Sequence, residues 1–506
     1  MKGDRTRWAL GCLAVAAAAR HAVGLRQMRA TLSWLAQPPP TTTTAAAVPV
    51  HIVVPVLREQ QHVPSAMDWF AALLHELPGS TLTVVTTARE ERERQHLAGL
   101  IAERGNRPIT GRRFPQLTAA EIDALTAEQA ASGRLTRHTA ARVLARFPLT
   151  SDVLACELER HRGLPIRHVH YSGGGRKAGQ VNYAVARLGA DAGSYVAVYD
   201  VDSRPTPAVM AATLAFIQLG QAADGELPEV LQQPAWHARR AARGRAWERT
   251  LCQGAADLQT LWTLRREIPY ARRYGKLIGR GRQLWWGVAR AGVSQPVGHG
   301  LFVRGDVFDR VGGLPEFTLL DDVPFGYQLT MHRVPVVPVP VMTVADAPEQ
   351  AGEALAQGHR WFRSYLDYPA VARHASAAGA GTAGAHAAAL AVCLYRGVAW
   401  LSASPCTAAC LLVAVSRRHR WPVRVAAVAA LAWGVVAPVV LLGHAEGHTT
   451  TARGVARRAV GLLAAYLLRS VGPWQAVAHA ATCSQASPLS PKANRAAGAA
   501  AERTPT

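Results

Sequence analysis

The stretch 195-YVAVYDVDSRPTP-207 decides how the chain is read. A short apolar run leads directly into Asp200 and Asp202, one residue apart. Asp, Ser and Pro all end strands, so a plain turn accounts for the composition. The same residues also suit a metal held at the carboxyl edge of a sheet, because paired hard oxygen ligands favour Mg2+ or Mn2+. One Asp-x-Asp supports either reading, and the flanking sequence has to separate them.

Upstream, the pattern is α/β. "VPVHIVVPVL" from Val48 reads as a buried strand, "PSAMDWFAALLHEL" as an amphipathic helix, and "STLTVVTTARE" as a second strand. Residues 91–160 read as mostly helical with charged faces. "PIRHVHYS" gives a third strand and "VAVYD" a fourth. Strands alternating with helices predict a doubly wound, mostly parallel sheet, whose ligands bind beyond the carboxyl ends of the strands. Asp200 and Asp202 stand at one such end.

The bulk composition sets the outer limits. A chain of 506 residues, 49% hydrophobic, holds two or three units with a sizeable core. The net charge of +22 on only 18% charged residues points to an anionic partner: a phosphorylated ligand, an anionic membrane surface or nucleic acid. No nucleic-acid recognition module accompanies the arginines. The seven cysteines are scattered and form no CxxC pair, which argues against a disulfide framework or a structural zinc site.

Both ends of the chain are apolar. Residues 1–47 pair a basic start and a short hydrophobic run, interrupted by Arg20 and His21, with a Pro/Thr linker, "PPPTTTTAAA". The run fits an interfacial helix, a signal-peptide core or a membrane span. Residues 387–481 predict about three to four membrane helices, of which Val425–Gly443 is the cleanest. The basic break "SRRHRWPVR" before it should face the cytoplasm. The tail, 482–506, is Ala-, Ser- and Pro-rich and reads as disordered.

Four local signals carry chemistry. "YSGGGRKAGQVNYAVARL" places glycines and Lys177 ahead of a helix expected to begin near Gln180, a combination that suits phosphate. It matches neither the Walker nor the dinucleotide pattern. Lys177 and a metal at Asp200 and Asp202 would together neutralise a diphosphate leaving group. A second acidic pair, Asp321 and Asp322, precedes a helix expected near Pro324; a helix N-cap and a general base are both open readings. In "QGHRWFRSYLDYP", helical spacing puts Gln357, Arg360 and Trp361 on one face, as a sugar platform or as an interfacial anchor.

Taken in this order and followed by apolar helices, the four signals resemble the membrane-bound family 2 glycosyltransferases, which include the cellulose, chitin and hyaluronan synthases. The resemblance spans roughly Val48–Trp361, with "QGHRW" and "KAGQVNYA…VYDVDS" its most specific parts. It implies a GT-A fold over residues 48–345 and an interfacial helix over 346–372. It implies inverting transfer from a nucleoside-diphosphate sugar, assisted by Mg2+ or Mn2+, to a lipid-linked or oligosaccharide acceptor. Asp200 and Asp202 would serve the metal and diphosphate, and Asp322 would be the base, with Asp321 where the family usually has Glu. Gln357, Arg360 and Trp361 would hold acceptor and diphosphate. "PVLREQ", with Pro55 and Glu59, resembles the first nucleotide-binding loop.

Two departures stand out. After the second strand the family usually has an Asp; here the chain reads "VVTTARE", leaving Thr86, Thr87 or Glu90 as substitutes. Pro324 replaces a frequent acidic residue. The Arg-rich segment 236–286 is expected along the membrane surface. Because nucleotide sugars are cytoplasmic, the catalytic domain of such a multi-pass membrane protein is expected there as well. A nucleotidyltransferase that makes an activated sugar, or a non-catalytic glycan-binding membrane protein, would share parts of this pattern.

Overall fold

The structure is a computed structural model that describes residues 2–38, 48–111, 113–114, 116–174, 176–224, 227–239, 245–279, 283–448 and 451–482. The linker from residue 39 to 47 and the tail from residue 483 lie outside the described residues. The chain forms two compact units: Pro49–Ala190 with Val196–Asp202, and Met1–Val48 with Asp191–Tyr195 and Ser203–Ser484.

In the first unit, β1 (Val50–Pro55), β2 (Thr81–Thr87), β3 (Ile166–Tyr171) and β4 (Tyr195–Val198) lie in the order β3–β2–β1–β4. β1 and β2 are parallel, with His51 opposite Thr81 and Pro55 opposite Val85. β2 and β3 are parallel from Leu82–Ile166 to Thr87–Tyr171. β1, β2 and β4 are buried along nearly their whole length because parallel strands are covered on both faces, with β2 alternating threonines with Leu82, Val84 and Val85. β3, at the edge, carries the polar sequence "IRHVHY" and is mostly exposed. The helix Val63–His75 buries Val63, Met67, Phe70 and Leu74, the spacing of one helical face. Phe70 meets Tyr199 at 5.9 Å between ring centroids. Helices Arg89–Glu103, Ala119–Ser132 and Arg137–Leu144 close over a separate apolar cluster that includes Leu97, Ile101, Leu125 and Val143.

The helix after the glycine loop runs Lys177–Leu188, three residues earlier than its sequence suggests. A cation at a helix N-terminus opposes the macrodipole, which disfavours starting there. Here Asp200 faces Lys177 and offsets that cost.

The second unit contributes β5 (Val230–Gln232), β6 (Ala235–His237), β7 (Leu301–Arg304), β8 (Val336–Pro338) and β9 (Thr343–Ala345). β5 lies between β7, antiparallel to it, and β8, parallel to it; β6 and β9 form a separate parallel pair. Together with the parallel registers of the first unit, this gives the mostly parallel α/β fold expected, followed by apolar C-terminal helices. The N-terminus is one continuous helix, Lys2–Leu35, rather than a short interrupted run. Among the described residues, three helices are long and apolar enough to cross a membrane: Trp8–Leu35, Ala383–Leu401 and Trp421–Ala445. The last part of the expected 387–481 membrane region forms Ala452–Leu468 and Val471–Thr482, neither of them in that class.

Small residues let these helices approach closely. Ala14 and Ala18 pack against Cys410, Val413, Ala427 and Ala430. A Cβ on Gly254 would stand 1.9 Å from the Gly461 carbonyl oxygen, so helices Ala246–Trp262 and Ala452–Leu468 touch backbone to backbone. The Arg-rich segment is therefore a packed element. Its Asp257, 2% exposed, receives Arg458 at 2.7 and 2.9 Å, and Arg458 also holds Glu446 at 2.6 and 2.8 Å. The described cysteines, Cys12, Cys156, Cys252, Cys393, Cys406 and Cys410, are free thiols.

Candidate active site

In the first unit, the candidate residues gather at the carboxyl ends of the strands. Pro55 ends β1 and is buried. Arg58, in the following loop, takes a left-handed backbone (φ 56°) and pairs with Glu93, which Arg89 also reaches at 2.6 Å. The Glu59 backbone N–H donates to Thr150 Oγ1 at 3.3 Å. Gln180 donates its side-chain amide to the carbonyls of Val56 (3.0 Å) and Val85 (2.8 Å), tying the helix that starts at Lys177 to the ends of β1 and β2. Tyr199 N–H donates to the Val53 carbonyl, which carries the chain from β4 into Asp200 alongside β1. Lys177 Nζ then lies 2.7 Å from Asp200 Oδ1. Asp202, two residues on, is half-buried.

The stretch "VVTTARE" is engaged within the fold. Thr86 Oγ1 hydrogen-bonds His168 Nε2 (2.7 Å) and His170 Nδ1 (3.0 Å), and Thr87 Oγ1 accepts from the Arg89 N–H. Glu90 Oε1 accepts from Gln60 (2.6 Å) and from the Thr150 N–H (3.1 Å). Burial raises the Glu90 carboxyl above its ordinary range. Of the three substitutes named from sequence, Thr86 joins β2 to β3, Thr87 engages the start of the next helix, and Glu90 holds the loop after β1 through Gln60.

In the second unit, Asp321 occupies the N-cap position of helix Asp322–Met331, yet its side chain caps nothing. Its Oδ2 is buried without a hydrogen-bond partner. An Asp kept for capping would accept from a first-turn N–H, so capping does not explain this carboxylate. Asp322 Oδ1 accepts from the Val323 N–H at 2.7 Å. The helix is pressed against its neighbour at Gly326, where a Cβ would stand 2.1 Å from the Ser294 carbonyl oxygen. The adjoining Gln295 helps line a cleft with Gln232, Glu267, Tyr270, Tyr274 and Arg396.

Glu267 is the functional candidate that the sequence reading missed. It ends a π-helical turn, Thr263–Glu267, and accepts from Thr263 Oγ1 at 2.6 Å. Burial, and then the charge of Asp322, push its carboxyl up to about 7. The available signal was one acid inside "LRREIPY", hidden among arginines. The helix Ala351–Ala377 carries Gln357, Arg360 and Trp361 at the spacing of one face, and all three are half-buried. Gln357 Oε1 accepts from Gln259 Nε2 at 2.6 Å.

No family profile matches the chain, and no curated protein matches it. Sixteen chains of solved structure do. One is a mannosyltransferase from Pyrobaculum calidifontis in complex with GDP-Man and Mn2+. It is 15% identical, the match covers 92% of this chain and 99% of that one, and the TM-score is 0.42. A likeness that distant transfers no residue and no role.

Proposed function

We propose that the protein is an inverting glycosyltransferase of the membrane-bound family 2 type, with a GT-A catalytic domain over residues 48–345. It moves a sugar from a nucleoside-diphosphate donor to a lipid-linked or oligosaccharide acceptor. The observation that carries this reading is the placement of Asp200 and Asp202 directly after β4, with the Lys177 ammonium 2.7 Å from Asp200. A fold keeps paired carboxylates and a lysine at a strand end for an ionic ligand. The uncapping Asp321 beside Asp322 supports a chemical rather than a structural use of the second acidic pair.

Mg2+ or Mn2+ fits the residues present. Among the described residues, Asp200 and Asp202 are not part of a cluster of three ligating side chains; the one such cluster is Asp68, Glu157 and His161, where Arg160 already pairs with both acids. Two carboxylates alone leave positions for substrate phosphate and water, as hard cations at phosphate sites require. The ion would supply positive charge to the departing diphosphate.

The chain's own residues do the rest. Lys177 exchanges Asp200 for a donor phosphate oxygen and neutralises it. Asp322 accepts the proton of the acceptor hydroxyl as that oxygen bonds to the anomeric carbon. The bond from the anomeric carbon to the diphosphate oxygen breaks on the opposite face, its electron pair leaving with the nucleoside diphosphate. Glu267, pushed up to about 7 by burial and then by the charge of Asp322, titrates within the neutral range beside that base. Gln357, Arg360 and Trp361 supply hydrogen bonds and a flat wall for the acceptor sugar and the diphosphate. Pro55 and Glu59 border the nucleotide.

The apolar helices hold the enzyme in a membrane as a multi-pass protein with its catalytic domain in the cytoplasm, where nucleotide sugars are found. The Arg-rich segment lies at the bilayer surface. The test is sugar transfer by the purified full chain and by the Asp202→Asn and Asp322→Asn variants. Loss of transfer in both, with unchanged melting, is the expected result; full activity in both overturns the assignment.

A further inference from the structure

The second unit holds a group of arginines without acids. Arg265 is 7% exposed and lies on the π-helical turn Thr263–Glu267. Its guanidinium donates to the Tyr466 hydroxyl (3.4 Å) and the Trp433 carbonyl (3.3 Å), and its Nε is buried without an acceptor. Arg469 lies over the rings of Trp262, Trp400 and Tyr466, 5.6 to 6.0 Å from their centroids. Arg266 donates to the Tyr270 hydroxyl. Arg20, exposed on the N-terminal helix, acts electrostatically on Arg469, as does Arg266. Among the described residues none of the four arginines forms an ion pair, and the groups that favour the charge of Arg265 and Arg469 are the hydroxyl of Tyr466 and, for Arg469, that of Tyr365. Burial weakens the hold of Arg265 and Arg469 on their protons.

The same unit shows how this fold treats an arginine that only holds helices together. Arg458, 8% exposed, is given two carboxylates. Buried charge without a partner is costly, so the buried Arg265, with the half-buried Arg266 and Arg469 beside it and no acid paired to any of them, marks a site for an anion. Forked guanidinium donors beside aromatic rings suit a group with several anionic oxygens. π-Helical turns are rare and recur at ligand sites. The surroundings indicate where the anion comes from. Arg20, Trp400 and Trp433 lie on Trp8–Leu35, Ala383–Leu401 and Trp421–Ala445, the helices long and apolar enough to cross a membrane. An ionisable residue such as Arg20 within such a helix marks a ligand path.

We propose that Arg20, Arg265, Arg266 and Arg469 bind the phosphate or diphosphate group of a membrane lipid. This deepens the acceptor side of the proposed transferase, on whose reading it rests. Glu267, which senses the charge of Asp322, ends the same turn that carries Arg265 and Arg266.

The experiment is a binding titration of the full-length protein in detergent, without nucleotide sugar, so that absent transfer activity does not affect the outcome. The probes are a polyprenyl monophosphate, the polyprenol of equal length, and inorganic diphosphate. The readouts are tryptophan fluorescence and the melting midpoint. The polyprenyl phosphate is expected to bind and to raise the midpoint, with the polyprenol and inorganic diphosphate each at least ~10-fold weaker. Arg469→Gln and Arg20→Gln are each expected to weaken the lipid phosphate ~10-fold or more. Arg265→Gln is the strongest variant on paper, but it also loses the bonds to Tyr466 and Trp433; Arg20→Gln, at an exposed position, keeps the test decisive if that protein does not fold. Equal binding of polyprenol and polyprenyl phosphate, or wild-type affinity in Arg20→Gln and Arg469→Gln, overturns the site. Inorganic diphosphate binding as tightly as the lipid overturns the lipid assignment and makes the ligand a soluble anion.

Discussion

Lys177 and Asp200 neutralise one another at the end of β4, whereas Arg265, Arg266 and Arg469 face only aromatic rings, hydroxyls and a carbonyl. The two regions teach different things about unliganded sites. At the first, the resident cation and carboxylate stand in for the charges a ligand would bring, so ligand entry is an exchange of partners at modest net cost. At the second, the fold leaves charge uncompensated, so a ligand there adds stability that the protein otherwise lacks. Arg458 lies between these cases, buried yet satisfied by Asp257 and Glu446.

The largest expected effect concerns chemistry. Asp202→Asn and Asp322→Asn should each lower sugar transfer by about 10^3-fold, the range for a lost base or a lost electrostatic partner, with the melting midpoint unchanged. Radiolabelled sugar transfer beside a thermal melt checks this. Next comes the contrast between two arginines. Arg458→Met strips the buried Asp257 of its two short bonds, leaves it only Arg239 at 3.5 Å, and should cost up to about 3–5 kcal/mol of stability. Arg469→Met removes an unanswered charge at similar volume and should change unliganded stability by less than about 1 kcal/mol. Denaturant melts of both variants measure the difference, and equal losses would erase the distinction between satisfied and waiting arginines.

Lys177→Met is expected to weaken donor binding by roughly 10–100-fold, the range for a hydrogen bond to a charged group, as read by calorimetry. The smallest effect is the pH dependence of Glu267. Its folded value of about 7 lies above the ordinary 4.5, so the native state holds this proton where the unfolded chain has released it. That contribution is complete below 4.5 and is lost as pH rises through about 7. Melts across this range should show wild type losing on the order of 1–3 kcal/mol relative to Glu267→Gln. Parallel curves would place Glu267 outside the electrostatics of Asp322.

Much of the first unit was legible in sequence, because β1, β2 and β4 are rich in β-branched and apolar residues and bounded by turn residues. β5 to β9 were not, since strands of three or four residues show no periodicity. Arg20 and His21 read as interruptions of the first apolar run, but the helix continues through them, and His21 lies against Gly434 and the Tyr466 ring. The residues of the candidate site could be named from their order along the chain. Their surroundings could not: the unpartnered Asp321 oxygen, the proton on Glu267 and the acid-free arginines depend on packing among distant helices. A π-helical turn leaves no trace in a hydrophobicity pattern, so "TLRRE" read as one more basic surface stretch.

The most direct test of the account is nucleoside diphosphate release by the detergent-purified chain. It would be offered a panel of nucleotide sugars with Mn2+ or Mg2+, beside Asp202→Asn. The account predicts metal-dependent release from one donor, abolished in Asp202→Asn while that variant melts like wild type. Release that is indifferent to metal and to Asp202, or no binding of any donor by folded protein, would contradict it.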